Sequence, residues 1–259
     1  MVPSASDVAS FLAEYAAALL GCGATCTRIV MNVGRIGAAY GYDADVTMLP
    51  SHVEVAVTPA GGVSPATRCG DVAVRRIRGG AIRFSVNASL SRLSWDIADN
   101  GISLDDAWRR FGAIVSRPAM SPRAVLLLTS CAGASFCRLF GGDAAAMAVV
   151  FVATLIGFRI RQLMLSAGCD VRLTFTVAAF VSATLSAADS IFGLGATPQV
   201  AVATSVLYLV PGVPYINVVS DLTGHHYLCA YSRLVDAVIL TVCLSLGLSA
   251  GIGILGIDN

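Results

Sequence analysis

The sequence predicts a membrane α-helical protein of five transmembrane helices, preceded by an N-terminal soluble α+β domain. The first reason is composition. Of 259 residues, 56% are hydrophobic and 13% charged, with a mean hydropathy of +0.76, where a soluble domain carries about 25% charge. The second is distribution. Residues 1–120 hold most of the charge, in both signs, and residues 121–259 read as apolar runs parted by short polar joints. The third is periodicity, which alternates by two in part of the first half and never in the second. The net charge of +1 excludes a strongly basic nucleic-acid surface. All the basic residues are arginine, a composition bias rather than a mechanism.

The first half is justified element by element. Residues 6–20 form an amphipathic helix with Ser6 or Asp7 as cap. The start has no basic n-region, and Glu14 interrupts the apolar run, so it is no signal peptide. Gly21 and Gly23 end the helix; Thr25 caps a second, which exposes Arg28 and Arg35 and closes near Gly41. In "HVEVAVTPAGG" Val53, Val55 and Val57 alternate with polar or small residues, a half-buried strand followed by a turn. "VSPATRCGDVAVRRI" continues as strand. "NASLSRLSWDIADNG" returns to helix and stops at Asn100-Gly101. Ser103, followed by Asp105 and Asp106, caps a short helix at its positive end. Pro118 and Pro122 mark the hinge. Residues 1–120 are therefore expected to hold two strand segments under four helices.

Residues 121–259 give apolar segments near 124–140, 144–158, 173–192, 200–222 and 234–257. The first two are short for a hydrocarbon core that takes about 20 helical residues. They form either two spanning helices or one re-entrant pair. Arg117 and Arg123 precede the first segment, Arg159, Arg161 and Arg172 lie in the joint after the second, and Arg233 precedes the fifth. Arginine-rich joints face the cytoplasm, which places the N-terminus inside and "GIDN" outside. Arg138, near the outer end of the first segment, either snorkels outward or faces a polar interior.

Most motifs carry little chemistry. "GIGILG" at 251–256 matches a dinucleotide fingerprint by letter but sits in an apolar helix without the preceding strand. Its spacing, with Gly247 and Gly251 four apart and Ser249 and Gly253 likewise, fits close packing of membrane helices. Eight scattered cysteines, among them Cys22, Cys26, Cys69 and Cys229, form no CxxC pair and read as small buried thiols. His225-His226 lacks neighbouring ligands, so no metal is expected. "GGD" at 141–143 lacks the spacing of an intramembrane aspartyl protease, and no enzyme chemistry is expected. What stands out is "LYLVPGVPYINVVSDL" at 207–222. Pro211, Gly212 and Pro214 break a run that otherwise reads as a spanning helix. Asn217 and Asp221 share one helix face behind the break, and Arg233 and Asp236 stand three apart at the start of the fifth segment. These charges either sit at the cytoplasmic interface or line a polar path.

"LYLVPGVPYINVVSDLTGHH" followed by "RLVDAVILTVCLSLGLSAGIGILG" resembles the threonine/serine exporter family, closest to its split, YjjP-like large subunit. "LTSCAGASFCRLFGGD", "RIRQLML" and "GCGATCTRIVMNVGRIGAAYGY" resemble other segments of that family. The resemblance implies an inner-membrane exporter of small carboxylate metabolites, threonine and serine in fused members and succinate in split ones, with no cofactor. It implies a smaller membrane partner subunit, because nothing here follows the fifth segment, and oligomers are possible. On physical grounds the expected mechanism is alternating access, in which Pro211, Gly212 and Pro214 open the fourth helix, and freed backbone groups with Asn217 bind substrate. Arg233 or Arg138 pairs the carboxylate, and Asp221 or Asp236 carries a coupling proton. The rival expectation is a non-transporting membrane sensor or assembly subunit anchored by its helices.

Overall fold

The computed structural model describes residues 3–61, 70–77, 82–193 and 195–254, with the side chains of 188–192 left aside. Cys69, most of the "VSPATRCG" strand extension and the "GIDN" tail lie outside the described residues. The chain divides into two compact units: residues 1–118 with 213–234, and residues 119–212 with 235–259.

In the first unit α1 (Ala5–Gly21) and α2 (Cys26–Ala39) lead into a β-meander of β1 (Tyr42–Met48), β2 (His52–Pro59) and β3 (Asp71–Arg76), followed by α3 (Phe84–Asn100) and α4 (Leu104–Val115). The sheet is antiparallel in the order β1-β2-β3, with Val46 opposite Val55 and Val55 opposite Ala73. It therefore has three strands rather than two; β1 and β2 are separate because Pro50 and Ser51 sit in the turn between them. The alternation in β2 is real: Val53, Val55 and Val57 are fully buried. They pack with Phe11, Leu12, Tyr15 and Leu19 of α1, Ile29, Val33 and Ile36 of α2, and Leu90 and Ile97 of α3. The cap of α1 is Ser4 rather than Ser6 or Asp7, because extended Ser4 accepts from the Asp7 amide at 3.2 Å. Ser103 caps α4 as expected, and Gly101 ends α3 in the left-handed conformation that a side chain disfavours. Arg35 is half-buried rather than exposed. It donates to Asn32 and Ser94 and lies 3.6 Å over the Trp95 ring.

The second unit begins with α5 (Pro122–Leu139), α6 (Ala144–Ser166) and α7 (Val171–Phe192), then α8 (Pro198–Ser205) and a 3₁₀ turn at Leu207–Leu209. After extended Val210, α9 (Gly212–Thr223) and the 28-residue α10 (Tyr227–Ile254) complete the chain. Helix α6 runs to Ser166, so Arg159 and Arg161 are helical instead of lying in a joint. Asp143 caps α6 by accepting from the Ala146 amide at 2.7 Å, and accepts from the Ala196 amide at 2.6 Å. Its own amide donates to Thr197 at 3.0 Å. Those bonds tie the α5–α6 joint to the α7–α8 joint. They also hold the Asp143 carboxyl below the usual carboxylate range, the Ala146 amide contributing most. At the other end Gln162 donates to the Pro122 carbonyl at 2.9 Å.

Apolar side chains face outward here. Leu128, Phe136, Val152, Leu163, Val242 and Leu246 are all at least half exposed or close to it, and only 33% of the most apolar stretch of α6 is buried. Two described helices, α6 and α10, are long and apolar enough to cross a membrane, and α8 through α9 counts as a third only if the broken pair is taken as one span. The structure is thus mostly helical, with two to three candidate spans and a small sheet.

Candidate functional site

The residues behind the helix break are the natural place to look for function. Pro211 is buried, Gly212 opens α9 and Pro214 lies in its first turn, where a missing amide hydrogen costs nothing because that donor is unpaired in any helix. The prolines therefore start one helix after ending another.

Three of the polar residues marked by the sequence converge within the first unit. Asn217 donates through Nδ2 to the Gly23 carbonyl at 3.0 Å. Asp221, fully buried, accepts from the Cys26 amide at 2.8 Å and forms an ion pair with Arg233 at 3.0 Å. Arg233 donates through Nη2 to the Ala24 carbonyl at 2.8 Å. The common target is the α1–α2 turn. Thr25 occupies the N-cap of α2 but makes no side-chain cap bond, so the Asp221 carboxylate takes that place, at the positive end of the helix. The turn after α9 is shaped to allow this. Gly224 packs so close to Thr27 that a Cβ would come within 2.5 Å of its hydroxyl. His225, at φ 60°, takes the left-handed turn, and the His226 amide donates to the Asp221 carbonyl at 2.8 Å. The two histidines thus belong to a helix stop, and among the described residues no cluster of His, Cys, Asp or Glu is arranged to hold a metal ion.

The other marked residues belong to the second unit. Asp236 is exposed in the second turn and a half of α10, and exposed Arg138 donates to the Gly142 carbonyl at 3.3 Å.

A second polar group, in the second unit, escaped the sequence reading. Ser182 of α7 and Tyr208 of the 3₁₀ turn share a hydrogen bond at 2.9 Å. They meet over Gly157 of α6, where a Cβ would collide with both hydroxyls. One turn away Thr154 is buried with its hydroxyl unpartnered. Beside them α5, α6, α8 and the 3₁₀ turn line an open cavity of about 330 Å³, walled mostly by apolar side chains such as Val125, Leu128, Phe136 and Leu207, with Thr129, Thr154, Thr204 and Tyr208 as its polar groups. Serines, threonines and a glycine within apolar helices were the available signal. It is weak, because such residues also serve ordinary helix packing.

A family model described as "Putative threonine/serine exporter" matches residues 10–255. The chain is 35% identical over 146 residues to "Probable succinate transporter subunit YjjP" of Klebsiella aerogenes, covering 55% of each chain. It is 32% identical over 151 residues to the protein of the same name from Escherichia coli strain K12, covering 58% of each. Against "Probable threonine/serine exporter" of Mycobacterium tuberculosis it is 26% identical over 190 residues, 72% of this chain and 35% of that protein. The matched region spans little more than half the length of the first two relatives. No solved structure matches significantly.

Proposed function

This chain belongs to the threonine/serine exporter family, and on that premise we propose that it is an inner-membrane exporter subunit. It moves small carboxylate metabolites, succinate or threonine and serine, out of the cell together with a smaller membrane subunit. The observation that carries this is the family match itself, which runs from within α1 through the end of α10. The relatives' printed names supply the substrate candidates, and the word "subunit" in two of them supplies the partner.

In this reading residues 1–120 form a cytoplasmic domain and residues 121–259 cross the bilayer five times. Two contacts support the topology. Asp143 bonded to Ala196 and Thr197 keeps the first and third joints at one end of the second unit. Gln162 bonded to Pro122 keeps the arginine-bearing ends of α5 and α6 together, on the side that the positive-inside rule assigns to the cytoplasm. Export proceeds by alternating access along the helix broken at Pro211, Gly212 and Pro214, since broken helices expose backbone dipoles at membrane depth. Asn217, Asp221 and Arg233 hold the inner end of that path in one arrangement. Arg233 or Arg138 pairs the substrate carboxylate, and Asp236 or a released Asp221 takes the coupling proton.

The test is metabolite efflux. Cells expressing the chain with the small membrane subunit should accumulate at least one of succinate, threonine and serine outside, and cells expressing either subunit alone should not. Unchanged levels of all three would sink the exporter reading and favour an assembly subunit, a role that the full engagement of Asn217, Asp221 and Arg233 with the α1–α2 turn would also suit.

A further inference from the structure

Arg28 and Arg35 of α2 differ from the arginines around them. Within the first unit Arg75, Arg110 and Arg233 each reach a carboxylate, on Glu14, Asp96 and Asp221. Arg28 and Arg35 have no carboxylate partner among the described residues. Neutral groups hold them instead. Arg28 donates to Asn87 Oδ1 at 3.2 Å, and Asn87 is buried. Arg35 donates to Asn32 Oδ1 at 3.0 Å and to Ser94 Oγ at 2.7 Å, and its guanidinium rests on the Trp95 ring. Asn32 is itself buried and is anchored by donating to Ser91 Oγ at 3.1 Å. An amide or hydroxyl oxygen fixes a guanidinium without neutralising it, and a guanidinium carries five donors. Both side chains are thus positioned, charged and left with donors to spare.

Both guanidiniums line an open groove of about 800 Å³ formed by α2, α3 and the end of α9. Residues 28, 32 and 35 reach it together because four- and three-residue steps keep one helix face. Asn32, Ser91 and Thr223 add polar groups, and no acidic side chain lines the groove. Met31 and Trp95 line it too, and both are more than half exposed. Charged arginine beside exposed tryptophan is the mixture of a membrane interface, where the indole sits at headgroup level and the arginine attracts anionic lipid.

The place of the groove in the chain points the same way. Gly224, which lines it, stands three residues before Tyr227, the first residue of α10. That helix is long and apolar enough to cross a membrane. Its 28 residues span about 42 Å at a rise of about 1.5 Å each, close to the roughly 40–45 Å of a bilayer with its headgroups. A crossing helix of that length begins in the headgroup layer. Tyr227 and Tyr231 in its first turns are more than half exposed, which suits an aromatic belt.

We propose that this groove binds the headgroup of an anionic phospholipid, with the phosphate on Arg28 and Arg35 and the glycerol and upper acyl chain against Met31 and Trp95. The guanidiniums only donate, which matches phosphate oxygens. A zwitterionic lipid brings an ammonium group that meets no carboxylate in the groove, so a net-anionic headgroup is preferred. The site rests on the reading that α10 crosses the bilayer. It does not depend on which metabolite is exported.

Trp95 serves as the reporter in the test. Trp108 is the other tryptophan of the chain, so the full chain carrying Trp108→Phe fluoresces from Trp95 alone. It is reconstituted in nanodiscs of equal parts phosphatidylglycerol and phosphatidylcholine, with bromine, a quencher of adjacent indoles, on the acyl chains of one lipid or the other. Brominated phosphatidylglycerol should quench Trp95 at least about twofold more than brominated phosphatidylcholine. Arg28→Gln and Arg35→Gln should each reduce that preference, and together remove it. Arg109→Gln, at an exposed position outside the groove, should keep it. If Arg35→Gln aggregates, Arg28→Gln, at an exposed position, decides. If Trp108→Phe does not fold, native mass spectrometry decides: the wild-type chain should retain phosphatidylglycerol over phosphatidylcholine, and Arg28→Gln should lose that selectivity. Equal quenching by the two lipids, quenching by neither, or a preference that survives both arginine variants overturns the site. Excess inorganic phosphate should leave the preference in place, and its abolition by phosphate overturns the lipid as the ligand. Efflux separates this site from the exporter reading. No lipid preference with export intact overturns the site alone, whereas an arginine-dependent preference without any export overturns the exporter reading alone.

Discussion

The Asp221–Arg233 pair shows how much a single residue is asked to hold. Asp221 is fully buried and has two engagements, the Cys26 amide and the Arg233 guanidinium. Removing one partner of a buried ion pair leaves an uncompensated charge, which costs about 3–5 kcal/mol. Arg233→Ala should therefore lower the melting temperature of the purified chain sharply. The double variant Asp221→Asn, Arg233→Gln should recover much of the loss, because it removes both charges and keeps groups that can bond the Cys26 amide and the Ala24 carbonyl. Equal melting of Arg233→Ala and wild type would show that the pair is not formed. At this scale the sequence was half legible. The four-residue spacing of Asn217 and Asp221 put them on one face. Their targets, 194 and 195 residues away in the chain, were not readable from any local pattern.

Among the elements, α10 makes the plainest use of small residues. A Cβ at Gly251 would come within 2.9 Å of Ala183 and of the Phe180 carbonyl, and one at Gly247 within 2.9 Å of the Ala179 side chain. The four-residue spacing thus brings α10 against α7, where Leu244 joins Phe175, Ala178 and Ala179. Gly253 has nothing near it, so the Ser249–Gly253 repeat with the same spacing has no such neighbour. Gly251→Val should destabilise by about 1–3 kcal/mol through overpacking, while Gly253→Ala should leave the melting temperature in detergent unchanged. Equal losses in both would refute the contact. Several element ends were legible from capping and punctuation, as at Ser103, Gly101 and Pro211. The end of α6 was not. Arg159 and Arg161 read as a polar joint because charge usually marks helix ends in a membrane, but a guanidinium resting on Phe158 and Phe175 lets the helix continue.

For the whole molecule, the membrane crossing is the property to measure. Topology reporters fused after residues 120, 168 and 225 should report a cytoplasmic position, and those after 141 and 195 an external one. The bonds from Asp143 to Ala196 and Thr197 require at least that positions 141 and 195 agree. Opposite sides for those two would overturn both the five-crossing reading and this contact.

Composition and period by themselves determined that the chain is a helical membrane protein with a small α+β portion, because the hydrophobic effect acts on each residue where it stands. The same local logic marked the break at Pro211, since proline removes its hydrogen bond whatever surrounds it. Only the tertiary structure decided what the polar residues do. Whether a buried Asp, Arg or Thr is satisfied depends on donors and acceptors brought from distant parts of the chain. That is why Asp221 and Arg233, conspicuous in sequence, prove to be engaged in holding the α1–α2 turn. Among the described residues of the second unit, Thr154 and Arg161, inconspicuous in sequence, are the ones with a buried polar atom that has no hydrogen-bond partner.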